Sequence, residues 1–321
     1  MDFTQRKARA AWISVVSNSI LVVSKLAAGL LIGSVSVVSE AIHSGVDLLA
    51  AGIALFAVKS AGKPADKEHP YGHGKVENLS GAIEAALILV AAAWIVYEAV
   101  QKLIERTPLE AAGLGAAVMA VSAVANYFVS RMLFRVGEET DSIALQADAW
   151  HLRTDVWTSA GVMAGLAAIV VGRWLAPAWD LWWLDPLAAI MVALLITRAA
   201  LKLTRQSLGD VMDESLPDEE QGWIADHVSG VPGVFGFHGL RTRKAGPQRF
   251  VEFHLLVDRR LSVEVSHKLS HDISRAIEQR FNGASVSIHV EPCDGCCPPG
   301  CRAGCLLGPD EQEAMRETSP H

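Results

Sequence analysis

Polar and apolar positions separate into blocks along this chain. Six apolar segments, at about residues 10–32, 34–60, 79–103, 110–133, 142–171 and 182–204, each come near or exceed the ~20 residues needed to cross a hydrocarbon layer. After about residue 207 the periods shorten. "LPDEEQGWIADHVSGV" predicts a helix, with a Pro near its start and acids in its first turn. "GVFGFHGLRTRKAG" and "QRFVEFHLLVD" alternate as two strands, "SVEVSHKLSHDISRAIEQRF" returns to helical spacing, and "ASVSIHVEP" reads as a last strand. That α-β-β-α-β order suits a small open sheet with helices on one face. The expected fold class is an α-helical membrane protein. Six transmembrane helices fill residues 1–206, a cytoplasmic α+β domain fills 207–292, and a Cys-rich flexible tail follows over 293–321.

Composition supports this. The chain is 51% hydrophobic, with a mean hydropathy of +0.28, too apolar for an ordinary soluble chain. A net charge of −7 argues against nucleic acid as a partner. The basic start "MDFTQRKARAAW" precedes a full-length apolar span, which does not read as a cleavable signal. Lys and Arg gather at the N-terminus, in the loop after the second segment, after the fourth segment and at the end of the sixth, so both termini are expected on the cytoplasmic side. The compact build without an organelle signal points to a bacterial inner membrane.

Against this apolar background, "EAIHSGVD" at 40–47 and "DAWHLRTDVWTS" in the fifth segment stand out. Each holds a His and an Asp four residues apart, hence on one helix face: His43 with Asp47, and His151 with Asp155. Ionisable groups at membrane depth are costly and mark ion or proton pathways. Two imidazoles and two carboxylates without a thiolate suit Zn2+ in tetrahedral coordination. Both ligand types must lose protons to bind a metal, so metal and protons compete at such a site. No G-x-x-x-x-G-K-[ST] motif is present, which leaves a proton gradient as the energy source. Asp148 and Glu40 each lie three residues before one of these histidines, without an assigned role.

"SEAIHSGVD", "HPYGHGKVENLSG" and "LQADAWHLRTDVWTS", in this order and spacing, resemble the cation diffusion facilitator family of divalent-metal/proton antiporters over about residues 8–292. The resemblance implies a transport site of His43, Asp47, His151 and Asp155 between spans 2 and 5. It implies a homodimer alternating between inward- and outward-facing states, and the His at position 43 is similar to that of the zinc-type members. It implies a second metal site at Asp66, His69 and His73 in the loop after span 2. It implies a cytoplasmic binuclear site from His238, His254, His267, His289 and Glu291, where the family's usual acid is Asp. It also implies a charge interlock between Lys75 and Asp213.

All five cysteines, Cys293, Cys296, Cys297, Cys301 and Cys305, lie outside the resemblance. Their spacing is too compressed for paired zinc knuckles, but five cytoplasmic thiols are candidate ligands for borderline or soft cations. The expected function is proton-coupled efflux of divalent cations, Zn2+ first, then Fe2+, Co2+, Ni2+ or Cd2+. The partners are the metal, protons, the lipid bilayer and a second copy of the chain, without a prosthetic group. A membrane metalloenzyme would need a motif such as H-E-x-x-H, which is absent. A membrane-anchored sensor would not need ligands at membrane depth.

Overall fold

A computed structural model describes residues 3–32, 35–105, 114–175, 183–293, 301 and 304–317. The chain divides into two units, Met1–Val211 and Met212–His321.

The first unit holds six long helices: α1 (Phe3–Ile32), α2 (Val35–Ala61), α3 (Lys75–Glu105), α4 (Leu114–Glu139), α5 (Ile143–Leu175) and α6 (Leu184–Val211). Among the described residues, four stretches are long and apolar enough to cross a membrane: Phe3–Leu31, Ala41–Ala61, Lys75–Glu105 and Pro186–Val211. Helices α4 and α5 are long enough, at 26 and 33 residues. Both also carry charged residues, Arg131, Arg135, Glu138 and Glu139 on α4 and, among others, Asp148, Arg153 and Asp155 on α5.

Large apolar side chains such as Trp12, Ile20, Val23, Phe56, Val90 and Trp94 are exposed, whereas Ala50, Ala54, Ala57, Ala85, Ala147 and Ala193 are fully buried or nearly so. Lipid solvates Leu and Trp as well as protein does, so helices in a membrane associate through small residues that let their backbones approach. By this logic α1 lies on α2, α3 on α6 and α4 on α5. Polar pairs join the helices as well. Lys7 on α1 donates to Glu77 Oε1 on α3 at 2.5 Å, Ser142 just before α5 donates to the other Glu77 oxygen, and Lys25 on α1 donates to Ser44 on α2 at 2.8 Å.

The second unit contains α7 (Asp218–Ser229), β1 (Val234–Ala245), β2 (Gln248–Asp258), α8 (Val263–Arg280), β3 (Ser285–Cys293) and α9 (Pro309–Glu317). The first five follow the α-β-β-α-β order that the periodicities predict. The sheet order is β1-β2-β3, with β1 antiparallel and β3 parallel to β2. Ser262 caps α8, its hydroxyl accepting from the Val265 N–H. Val251, Phe253, Leu255 and Val257 of β2 pack with Ile224, Val228, Ile273 and Ile277 of α7 and α8 into one core. Because strand side chains alternate between faces, Glu252 and His254 lie on the opposite face.

The tail departs from expectation. Its described residues are not a loose end. Residues 304–306 lie along β1, an edge strand whose free backbone groups would otherwise be unpaired. The Phe237 N–H donates to Gly304 O at 3.2 Å and the Leu306 N–H to Phe235 O at 2.9 Å. The backbones meet so closely that a Cβ on Gly304 would fall 1.7 Å from Phe237 O, and one on Gly236 would fall 2.5 Å from Gly304 O. Only glycine fits there. Gly304→Ala is therefore expected to lift the tail. Loss of two backbone hydrogen bonds should raise labelling of half-buried Cys305 by a thiol reagent about tenfold. Unchanged labelling would show that the seam tolerates a side chain.

Candidate metal centres

Among the described residues, three groups of ligating side chains converge. In the first, α2 supplies His43 and Asp47 and α5 supplies His151 and Asp155. The contacts run across the helices rather than along them. His151 Nε2 meets Asp47 Oδ1 at 3.0 Å, and His43 Nε2 lies 4.0 Å from Asp155 Oδ1. Ligand atoms of His43, Asp47 and Asp155 all lie within 4.8 Å of one another. Asp47 and His151 are buried and His43 is exposed, so the group has one open side. Asn126 on α4 donates from Nδ2 to Asp155 Oδ2 at 3.3 Å. Its signal in the sequence is an amide within the uncharged first half of α4. Asp148 is buried behind the group. Glu40 lies in α2, but its side chain falls outside what is described.

The second group is the loop between α2 and α3. Asp66 Oδ1 accepts backbone N–H groups from Glu68 at 3.0 Å and His69 at 2.7 Å, folding the loop back as an Asx turn. Gly72, at φ 82°, turns the chain so that His73 returns: His73 Nε2 is 3.3 Å from Asp66 Oδ2, and His69 Nδ1 is 3.4 Å from Oδ1. The His69 backbone N–H is the main influence holding the Asp66 carboxyl below its usual range. That carboxylate is a ready anionic ligand with two imidazoles beside it, a donor set that fits Zn2+ with one position left open.

The third group lies on the open face of the sheet. Register sets His238 opposite His254 and His254 opposite His289, one residue from each strand in a single row. Glu291, two residues past His289, shares its face. His254 Nδ1 lies 2.7 Å and His238 Nε2 3.1 Å from the Glu291 oxygens, and His289 Nε2 lies at 3.6 Å. The longer arm of Glu, compared with Asp, reaches all three rings. A bulge after His238 carries Gly239 at φ +64°, where a Cβ would press on the His254 ring at 3.2 Å. His267 is not part of this group. It is exposed on α8 and stacks on His271 with ring centroids 6.2 Å apart.

The His254 hydrogen bond, opposed by partial burial and reinforced by His238, holds the Glu291 carboxyl below its ordinary range. A depressed folded-state pKa means stability present above the ordinary carboxylate range and lost as pH falls through the folded value. Glu291→Gln should therefore raise hydrogen exchange in β2 of the full-length protein at neutral pH, with the difference from wild type closing under acid. A difference that persisted under acid would assign the effect to packing.

Of the remaining candidates, Lys75 donates to Val211 O at 3.2 Å at the end of α6. Asp213, at φ 60°, accepts from Arg243 at 3.4 Å. Cys293 and Cys301 are buried and Cys305 is half-buried. Cys296 and Cys297 lie outside the described residues.

Comparison with known proteins places this architecture. The model of the cation efflux transmembrane domain matches residues 11–212, and that of the cation efflux protein cytoplasmic domain matches residues 216–293. An uncharacterized transporter, sll1263, of Synechocystis sp. is 40% identical over 269 residues, 84% of each chain. The cation-efflux pump FieF of Citrobacter koseri is 33% identical over 286 residues, 89% of this chain and 92% of its own. A solved structure described as that of a putative zinc transporter, CzrB, shares 40% identity over 24% of this chain and 98% of its own, with a TM-score of 0.24. The chain belongs to the cation efflux, or cation diffusion facilitator, family: an integral membrane transporter with a C-terminal cytoplasmic domain.

Proposed function

We propose that this protein exports divalent cations from the cytoplasm in exchange for protons, with Zn2+ as the first substrate. The observation that carries the reading is the convergence of two His-x-x-x-Asp pairs from α2 and α5, with each His turned to the Asp of the other helix. Two nitrogen and two oxygen donors match Zn2+ and accommodate Fe2+, Co2+, Ni2+ or Cd2+ less well. The chemistry is a competition. A proton can bridge His151 and Asp47 at 3.0 Å and can reside on His43 or Asp155, and a divalent ion can draw the same four groups together only when they have lost their protons. Protons from the outer side displace the metal, and release of those protons inward readies the site again.

The same reading assigns six membrane spans to α1–α6 and cytoplasmic termini to a homodimer in a bacterial inner membrane. Resident metal is assigned to the Asp66–His69–His73 loop and to the His238–His254–His289–Glu291 row. In this scheme the tail thiols are further ligands. The likeness to a cation-efflux pump supports the direction of transport.

The test is metal flux in proteoliposomes, with and without a pH gradient, across a panel of divalent ions. Zn2+ is expected to accumulate only with the gradient. Equal accumulation without it would remove the antiport reading, and a preference for another ion would replace the substrate.

A further inference from the structure

Two carboxyl side chains behind the transport site have no part in the scheme above. Glu84 on α3 and Asp148 on α5 are both 0% exposed. Glu84 Oε1 accepts from Ser80 at 3.1 Å, while Glu84 Oε2 and both Asp148 oxygens have no hydrogen-bond partner among the described residues. They lie within electrostatic reach of each other across the α3–α5 packing. Ser14 on α1 is near Asp148 without closing a hydrogen bond.

Glu77, seven residues earlier on the same face of α3, is an instructive contrast. It is equally buried, yet Lys7 and Ser142 satisfy both its oxygens. Glu77 is a paired structural charge. Near Glu84 in sequence, Ala85 and Ile88 join Ile196, Ala200 and Leu203 of α6 in one apolar cluster, and the Ser207 hydroxyl of α6 lies beside Gly81; α5 offers Asp148. Beside Asp148 stand His151 of α5, whose cationic form offsets part of the negative charge, and Asp47 of α2, which adds to it. Among the described residues, no cation pairs with Glu84. Two buried like charges with a single hydroxyl donor, Ser80, between them are a costly arrangement, which a proton relieves.

We infer that Glu84, facing Asp148, is a proton-binding residue of the transport cycle, distinct from the metal ligands. This rests on the antiport reading. The proton enters with the gradient, resides on a Glu84 carboxylate oxygen while the transport site is free of metal, and leaves to the cytoplasm as the next ion binds. Its charge is thereby exchanged against part of the metal's charge.

The experiment uses the full-length protein in proteoliposomes, reading both Zn2+/Zn2+ exchange at symmetrical pH and the steady-state Zn2+ ratio under a pH gradient. The wild type shows a gradient-dependent ratio; if it does not, the antiport reading itself fails. In Glu84→Gln, exchange stays within about twofold of wild type, since the ligands are untouched. The steady-state ratio falls about tenfold per unit of pH gradient, because one proton fewer drives each ion. Glu84→Asp restores the ratio. Should the Gln variant fail to reconstitute, Glu84→Met fills a similar volume without polar atoms and is read the same way. A wild-type ratio in either neutral variant overturns the inference. So does parallel loss of exchange in both, which would make Glu84 a structural residue.

Discussion

Asp47→Ala and Asp155→Ala, made singly, are each expected to reduce pH-driven Zn2+ flux to that of empty liposomes. Each removes one of the proposed anionic ligands and strands a histidine: His151 loses its 3.0 Å partner in the first variant, and His43 its 4.0 Å partner in the second. Four-coordinate zinc tolerates the loss of a charged ligand poorly, and the uncompensated pair at membrane depth adds to the cost. Asn126→Ala should be milder. It leaves the ligands in place but frees Asp155 Oδ2 from its amide donor, and loss of such an orienting contact typically costs about 10–100-fold in metal affinity. Flux and Zn2+ binding on the same preparations check both. Substantial flux through either Asp variant would mean that the ion crosses elsewhere.

Lys7→Met is expected to produce the largest loss of stability. Lys7 and Glu77 are an ion pair with side chains 5% and 0% exposed. Removing the cation leaves a buried carboxylate with, among the described residues, Ser142 as its remaining side-chain donor, and breaking such a pair typically costs about 3–5 kcal/mol. The double variant Lys7→Met with Glu77→Met removes both charges and should recover most of that loss, because a well-packed apolar pair often replaces a buried ion pair at little net cost. Thermal unfolding in detergent, followed by tryptophan fluorescence, compares the three proteins. A double variant no more stable than Lys7→Met would show that Glu77 has a role beyond pairing with Lys7.

These expectations show where the sequence was readable. The four-residue spacing in "HSGVD" and "HLRTD" placed His and Asp on one face of each helix, since that follows from helix geometry alone. The pairing across helices did not follow, because it depends on how α2 and α5 pack. The α-β-β-α-β order came from clean changes of period. The bulge at Gly239 and the register that align His238, His254 and His289 are tertiary facts. His267 shows the limit of composition: a histidine on α8 looks no different from one on a strand, yet its ring stacks on His271. Lys7 and Glu77 are 70 positions apart, and nothing local in either segment announces the other. The tail looked unable to bury itself, being poor in apolar residues. What holds it is backbone pairing at Gly304 and Gly236, which hydropathy does not register.

The alanine interior of the membrane unit has a mechanical meaning. Leucine or isoleucine at helix contacts forms ridges that lodge in the neighbour's grooves and favour a few crossing angles. Alanine gives low ridges and shallow grooves, so two helices can change tilt against each other without first lifting one row of side chains over another. At Ala50, Ala54 and Ala57 of α2, and at Ala147 of α5, the contact surfaces work more like plain bearings than like gears. In the proposed cycle, the polar side chains of the α2–α5 His–Asp group and of the Lys7–Glu77 pair are the catches that set where such a motion stops.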